Sequence, residues 1–281
     1  MAPAKLENKG MTLATRIGIL GLGKMGEALI KGLQNSPQAK DFSFQATTRS
    51  AESAAEAAKR LGIECGTDNR KLVDRCKVLV LCVKPHQAEA VLADIAPKLT
   101  ADHLVISVCA SLTTAQIFEW SGGRAAVVRS MPNTPCLIGE GMTVFCAGAG
   151  VKAEHMRLTQ NIFSTVGQAI SLEESLMDGV TGLSGCGPAY IYLIIEALSE
   201  AGVKVGLPRK TATLLAAQTM AGAARMVLQR GEHPAALKDE VTTPAGCTID
   251  GLMALEEGKL RVTLIKAVLA AAKRSKSLSK K

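Results

Sequence analysis

Short apolar runs recur along the first part of the chain, each followed by a turn and then by a stretch with the three-to-four spacing of an amphipathic helix. The runs are Arg16 to Leu20, Phe42 to Thr47, Val78 to Val83, Leu104 to Val108, Ala125 to Arg129 and Thr143 to Ala147, with a last short one near 168–172. Between them, helices are predicted from Glu27 to Leu33, over Ala51 to Leu61, over 86–97, from Thr113 to Trp120 and near 153–165. Strands that alternate with helices at this spacing indicate an α/β fold with a doubly wound, mostly parallel sheet. The pattern changes after about residue 175, where no strand follows. Helices are predicted from Pro188 to Val205, from Pro208 to about Gln229, after His233-Pro234, after Pro244-Ala245-Gly246 and over 259–274. Prolines stand at helix starts, where the missing N–H costs nothing, and Gly206 and Gly231 mark stops. The organisation expected is therefore a leader over 1–15, read as disordered, a first domain over 16–174 and an all-helical domain over 175–281.

The turn after the first run carries the chemistry. Gly21-Leu22-Gly23-Lys24-Met25-Gly26 directly follows Leu20 and opens a helix, which is the context a dinucleotide fingerprint requires. The first glycine makes the tight turn, the second lets the backbone approach a pyrophosphate, and the third lets helix and strand pack closely. The diphosphate then sits on free N–H groups at the helix N-terminus. The alternative is a glycine-rich turn in another α/β fold. The next strand ends in Thr47-Thr48-Arg49-Ser50, with no acid before Glu52. An NAD site generally places an acid there for the ribose 2′-hydroxyl, whereas hydroxyls and a guanidinium suit a 2′-phosphate, so NADPH is expected in preference to NADH. Two further strand ends, Cys82-Val83-Lys84-Pro85 and Ser107-Val108-Cys109-Ala110, are expected at the same crevice. Lys84 is also readable as a loop lysine with no partner.

Composition narrows the field. Hydrophobic residues make up 47% and aromatics 3%, so the core is built from small and aliphatic side chains, and a stacking platform for bases is disfavoured. The net charge of +8 is concentrated partly in a tail with Lys273, Arg274, Lys276, Lys280 and Lys281, and nucleic acid is not the partner expected from it. The eight cysteines have no metal-knuckle or redox-dithiol spacing and the histidines do not cluster, so no metal is expected and a reducing compartment is. No stretch approaches a membrane span and the first residues lack a secretory apolar core, which leads to the expectation of a cytoplasmic protein, a mitochondrial one being left open.

Several segments resemble one family. Val241 to Glu256 (Val-Thr-Thr-Pro-Ala-Gly-Cys-Thr-Ile-Asp-Gly-Leu-Met-Ala-Leu-Glu) is similar to the signature of the pyrroline-5-carboxylate reductases. So are Thr181-Gly-Leu-Ser-Gly-Cys-Gly-Pro-Ala-Tyr190, Val83-Lys84-Pro85-His86 and Met131-Pro132-Asn133-Thr134-Pro135, in that family's order. The resemblance implies a Rossmann-like N-terminal domain and a helical C-terminal domain that dimerises, with a pentamer of dimers in some members. It implies a site at the dimer interface, where the 241–248 loop of one subunit meets the cofactor of another, placing Thr243 and Gly246 beside the substrate. Thr48, Arg49 and Asn69 are implied on the adenosine side of the cofactor, and Val83, Lys84 and Ala110 on its nicotinamide half. Glu174, Glu240, Cys247 and Thr248 are implied near the substrate. Two positions depart from the family's commonest pattern, Ala245 for a glycine and Cys186 for a serine.

The loop makes physical sense beside that likeness. The free N–H groups after Pro244-Ala245-Gly246 can hold a carboxylate with no buried cation. The Thr248 hydroxyl can orient a ring nitrogen or relay a proton to it, or it can cap the helix. Hydride transfer to an imine needs positioning rather than a triad, and it needs no nucleophile from Cys247. The alanines at 212, 216, 217, 221, 223 and 224, with Gly222, make one helix nearly smooth, for packing across a subunit interface or inside the domain. Two other functions share the first domain: a dehydrogenase of small 3-hydroxy acids, and a non-catalytic sensor of cofactor redox state. Turnover of pyrroline-5-carboxylate separates both from the reductase.

Overall fold

The computed structural model describes residues 14–279. Thirteen of the fifteen positions expected as leader lie outside the described residues, and Thr15 already belongs to the first strand. In chain order come β1 (Thr15–Leu20), α1 (Lys24–Gln34), β2 (Phe42–Thr47), α2 (Ala51–Leu61), β3 (Glu64–Gly66), α3 (Asn69–Arg75), β4 (Val78–Leu81), α4 (Pro85–Ile95), β5 (Leu104–Ser107), α5 (Thr114–Trp120), β6 (Ala126–Met131), β7 (Gly141–Ala147), α6 (Ala153–Ser164) and β8 (Gly167–Ser171). The helical part follows: α7 (Met177–Val180), a π-helical turn over Thr181–Gly185, α8 (Gly187–Lys204), α9 (Arg209–Arg230), α10 (Pro234–Val241), α11 (Cys247–Glu257) and α12 (Leu260–Leu278). The described residues fall into two compact units, one running to Gly185 and including the chain from Arg274 on, the other spanning Cys186–Lys273.

The first unit is built on an eight-stranded sheet in the order β3-β2-β1-β4-β5-β6-β7-β8. All pairings are parallel except β6 with β7, where Arg129 stands opposite Cys146. Strand alternation splits the apolar side chains between the two faces. Ile17, Ile19, Val80, Ile106 and Val128 pack with α1 and α6 on one side; Leu20, Leu79, Leu81, Val105 and Val127 pack with α3, α4 and α5 on the other. Because both faces are covered, the central strands read as continuous apolar runs. The strand order reverses between β1 and β4, which opens a crevice at their carboxyl ends.

Two elements go beyond the sequence reading. The short strand β3 and the seven-residue helix α3 fill the interval between α2 and β4. Helix α3 starts where the Asp68 carboxylate accepts from the N–H groups of Arg70 and Lys71, and it buries Leu72 and Val73. The strands predicted to Val83 and Val108 stop at Leu81 and Ser107, which leaves Cys82 to Lys84 and Val108 to Ala110 as loops at the crevice.

In the second unit, among the described residues, Ala212 and Ala216 are the only buried apolar side chains. Ala212 meets Gly202 of α8, where an added Cβ would lie 2.7 Å from its own, so this part of the smooth helix packs within the chain. Leu193, Leu214 and Leu228 are 66%, 67% and 76% exposed. A unit with so little buried apolar surface has its apolar faces open for a second copy.

His103, 3% exposed between α4 and β5, is held neutral. Its Nδ1 accepts from the Thr100 N–H at 3.1 Å, its Nε2 lies 3.3 Å from the Val73 carbonyl, and burial pushes its pKa below the ordinary value of 6.5. A base depressed in the folded state contributes stability above its unfolded pKa and loses it as pH falls from there toward the folded value. Thermal melts from pH 8 to pH 5 are therefore predicted to decline below about pH 6.5, and His103→Gln is predicted to flatten that decline. An equally steep decline in the variant excludes His103 as its source.

Candidate active site

A cavity of about 1210 Å³ lies at the carboxyl ends of β1, β2, β4 and β5. Its floor is the turn from β1 to α1. Gly21 has φ +79, and an added Cβ would stand 2.3 Å from the Val83 side chain, so only glycine fits there. Gly26 packs on Ile19 and Leu22, where a Cβ would approach to 2.8 Å, and this close packing of helix on strand keeps it off the cavity wall. Gly23 differs, for a Cβ built on it meets no protein atom within 4 Å. It is the N-cap of α1 and supplies no side-chain cap, so the first N–H groups of the helix stay free to face an anion. That open, uncapped cradle fits the diphosphate of a dinucleotide.

Thr47 holds the turn in place, a role the sequence, which offers it only among the hydroxyls at the end of β2, does not show. Its carbonyl accepts from the Leu22 N–H at 2.7 Å, and its hydroxyl oxygen accepts from the Gly21 N–H at 3.3 Å. The β1–β2 register, with Ile19 opposite Ala46, places it there.

Most residues expected at the cofactor line this cavity: Gly21, Leu22, Gly23, Lys24 and Met25 on the turn, Thr48, Arg49 and Asn69 at one side, and Val83, Lys84, Cys109 and Ala110 at the other. Four do not. Leu20 points into the core on the far face and is fully buried. Gly26 faces the strand. Ser50 caps α2 by accepting from the Ser53 N–H at 3.2 Å. Pro85 begins α4 beside its N-cap, Lys84, and is not on the wall. Tertiary structure adds His86, Gln87 and Val91 from α4, and Pro132, Thr134 and Leu137 from the segment after β6. Pro132 and Thr134 were visible in the Met131-to-Pro135 motif but had been given no role.

The wall at Val83 and Cys109 is pinned by hydrogen bonds from the loops that follow β4 and β5. The Cys109 thiol donates to the Val83 carbonyl at 3.2 Å, and the Cys109 N–H donates to Ser107 Oγ at 3.2 Å. The Ser130 hydroxyl donates to the Ser107 carbonyl at 2.8 Å. Burial pushes the Cys109 thiol up to about 11 and raises Cys82 as well, so both are protonated, inert thiols at neutral pH. All eight cysteines are free. Among the described residues, no group of His, Cys, Asp and Glu is placed to hold a metal, and no helix is long and apolar enough to cross a membrane.

The residues expected at the substrate divide differently. Glu174 lies in the first unit, away from the cavity wall, where its carboxylate accepts from the Thr114 N–H at 2.7 Å and the Thr114 hydroxyl at 2.6 Å. Glu240, in the second unit, forms a bidentate pair with Arg230 at 2.7 Å on each oxygen, which lowers its pKa below the ordinary carboxylate value. Thr243, Gly246, Cys247 and Thr248 form the turn into α11. The Gly246 N–H donates to the Thr243 carbonyl at 3.0 Å, and an added Cβ on Gly246 would stand 2.4 Å from Thr243 Oγ. Ala245 holds φ +55, a left-handed conformation that favours glycine. Gly246 is the N-cap of α11 with no side-chain cap, so Thr248, two residues on, does not cap the helix and its first N–H groups stay free.

A doubly wound sheet with an uncapped glycine turn at its switch point defines a Rossmann-type oxidoreductase that takes a nicotinamide dinucleotide. Residues 16–111 match the family described as NADP oxidoreductase, coenzyme F420-dependent, and residues 174–278 match the family described as pyrroline-5-carboxylate reductase dimerisation. The chain is 39% identical to a pyrroline-5-carboxylate reductase of Arabidopsis thaliana over 94% of its own length and 95% of the relative's. It is 41% identical to that of Methanosarcina acetivorans over 95% and 98%. Among solved structures, a pyrroline-5-carboxylate reductase of Coxiella burnetii superposes with a TM-score of 0.88 at 37% identity, over 96% of this chain and all of that one. A Plasmodium falciparum pyrroline carboxylate reductase with NADP bound gives 0.83 at 35%, over 94% and 98%. The chain belongs to the pyrroline-5-carboxylate reductase family.

The glycines separate folding from binding. Gly23→Ala is predicted to melt within about 1 kcal/mol of the unsubstituted protein, because its φ of −128 suits any residue and its Cβ meets nothing. It should nevertheless lose cofactor binding, since that Cβ occupies the cradle. Gly21→Ala is predicted to lose both. Titration with NADPH alongside thermal melts checks the pair; cofactor binding retained by Gly23→Ala contradicts the assignment of the cradle.

Proposed function

We propose that the protein reduces 1-pyrroline-5-carboxylate to L-proline with NADPH, the last step of proline biosynthesis, as a cytoplasmic homodimer whose dimers assemble further into a pentamer of dimers. The observation that carries this reading is the uncapped glycine cradle in a chain that matches pyrroline-5-carboxylate reductases over 94% to 96% of its length. The bound nicotinamide supplies the hydride that the imine carbon accepts.

The remaining work falls to positioning. The free amides of Cys247 and Thr248 hold the substrate carboxylate at the start of α11, where the helix dipole favours an anion and Gly246 keeps the approach clear. Thr243 fixes that turn through its carbonyl. The Thr248 hydroxyl orients the ring nitrogen and relays a proton to it from water, a step that raises the electrophilicity of the imine carbon. Glu240, held by Arg230, sets the end of α10 just before the turn. Glu174, expected near the substrate, stands in the first unit with its carboxylate oriented by Thr114. The turn of one subunit meets the cavity of its partner, a reading supported by the open apolar faces of the second unit.

The preference for NADPH rests on Thr48, Arg49 and the absence of an acid. Arg49 is exposed on the cavity wall, and the Thr48 hydroxyl is tied to the Ser50 carbonyl at 3.0 Å, which leaves Arg49 as the principal charged donor to a 2′-phosphate. Ser50, engaged as a cap, contributes through the N-terminus of α2 rather than through its hydroxyl.

Two substitutions test the reading. Arg49→Asp is predicted to move the ratio of kcat/KM from NADPH toward NADH, and an unchanged ratio refutes the 2′-phosphate assignment. Thr248→Ala is predicted to lower turnover roughly 10- to 100-fold, about 1.4–2.7 kcal/mol of barrier, and an unchanged rate removes Thr248 from the reaction.

A further inference from the structure

One polar cluster in the first unit joins parts of the chain that are far apart in sequence. Arg129, on β6, is 4% exposed, yet it carries a permanent charge. Its Nη1 donates to Glu174 at 3.4 Å and its Nη2 faces Asp178 at 3.9 Å. Each carboxylate has a neutral donor as well: Thr114 for Glu174, and the Ser275 hydroxyl for Asp178 at 2.7 Å. Ser275 is 3% exposed although it stands near the end of a helix whose other side chains are mostly exposed or half-buried. A buried guanidinium with both carboxylates hydrogen-bonded is a satisfied cluster, and it loses much of its value when one donor is removed.

The cluster sits where the chain leaves and re-enters this unit. The outgoing chain runs through α7, which carries Asp178, and the π-helical turn. The Asn133 side-chain amide donates to the Ser184 carbonyl at 3.1 Å, and Gly185 packs so tightly on Met131 that a Cβ would approach to 2.5 Å. The returning chain is fixed by Ser275 on Asp178. We propose that Asp178 and Ser275 are positioning residues for the reaction: they tie α7 and the end of α12 to one buried arginine, at the two points where the chain passes to and from the 186–273 segment that carries the substrate turn at 243–248. The inference rests on the reductase reading given above. Neither residue touches substrate or cofactor, and neither lines the cavity.

The full-length protein tests this with Ser275→Ala, Ser275→Thr and Asp178→Asn, compared by NADPH dissociation constant, steady-state kinetics with pyrroline-5-carboxylate, and hydrogen–deuterium exchange. Ser275→Ala is predicted to lower kcat/KM for the imine roughly three- to tenfold, the scale of one hydrogen bond to a partly exposed carboxylate. The dissociation constant for NADPH should stay within about twofold of the unsubstituted protein, because the glycine turn is not part of the cluster. Exchange should quicken in the last turns of α12 and in α7, but not in β1 or β4. Ser275→Thr keeps the hydroxyl and should restore all three readouts, and Asp178→Asn should act in the direction of Ser275→Ala. Faster exchange with unchanged kinetics would mean that the anchor is structural only and would overturn the proposal, as would unchanged exchange. Failure of the unsubstituted protein to turn over the imine defeats the reductase reading itself, and the positioning role falls with it.

Discussion

The site depends on a turn that leaves the first amides of α1 without a side-chain cap. Between β1 and α1 no side chain caps the helix, and Gly23 keeps the space above it clear. Such a turn is costly to leave open unless something else fixes its course, and two hydrogen bonds that Thr47 accepts from Gly21 and Leu22 do so. The parallel pairing of β1 with β2 brings Thr47 to the turn, and burial of both strands on both faces holds the register. Anion binding in this unit therefore follows from strand pairing and from what the sequence leaves out at Gly23.

The turn proposed to hold the substrate carboxylate uses the same device on a different scaffold. The turn into α11 also ends in an uncapped glycine, and Thr243 closes it as Thr47 closes the first. Neither element brings a buried cation to its anion. Helix termini supply the partial charge. The raised pKa values of Cys82 and Cys109 belong to the same picture, since thiols kept protonated at the cofactor wall present no competing nucleophile.

Much of this was legible in the sequence because periodicity and glycine placement are local signals. The central strands, the glycine turn, the switch to an all-helical region and the proline-led starts of α8 and α9 all come from residues within a few positions of one another. What escaped depends on tertiary structure. Strand β3 is three residues long and mostly exposed, so it has no apolar run. Asp68 was a readable cap for α3, but a helix of seven residues with two buried side chains leaves little period. The antiparallel turn of β7 cannot be read from alternation, which is the same in both directions. Thr47 acts through its carbonyl and a strand register, and Ser50, Leu20 and Gly26 lie next to the cavity in sequence while facing away from it. The bonds of Glu174 to Thr114 and Arg129 join residues far apart in the chain, and no local pattern announces them.

The central claim is that this cavity presents a reduced nicotinamide to a cyclic imine for direct hydride transfer. The most direct measurement uses NADPH deuterated at the transferable position of the nicotinamide, with pyrroline-5-carboxylate as acceptor and mass spectrometry of the product. The account predicts one deuterium on the former imine carbon of proline for each cofactor oxidised. Proline without the label, or cofactor bound and never oxidised, would contradict it.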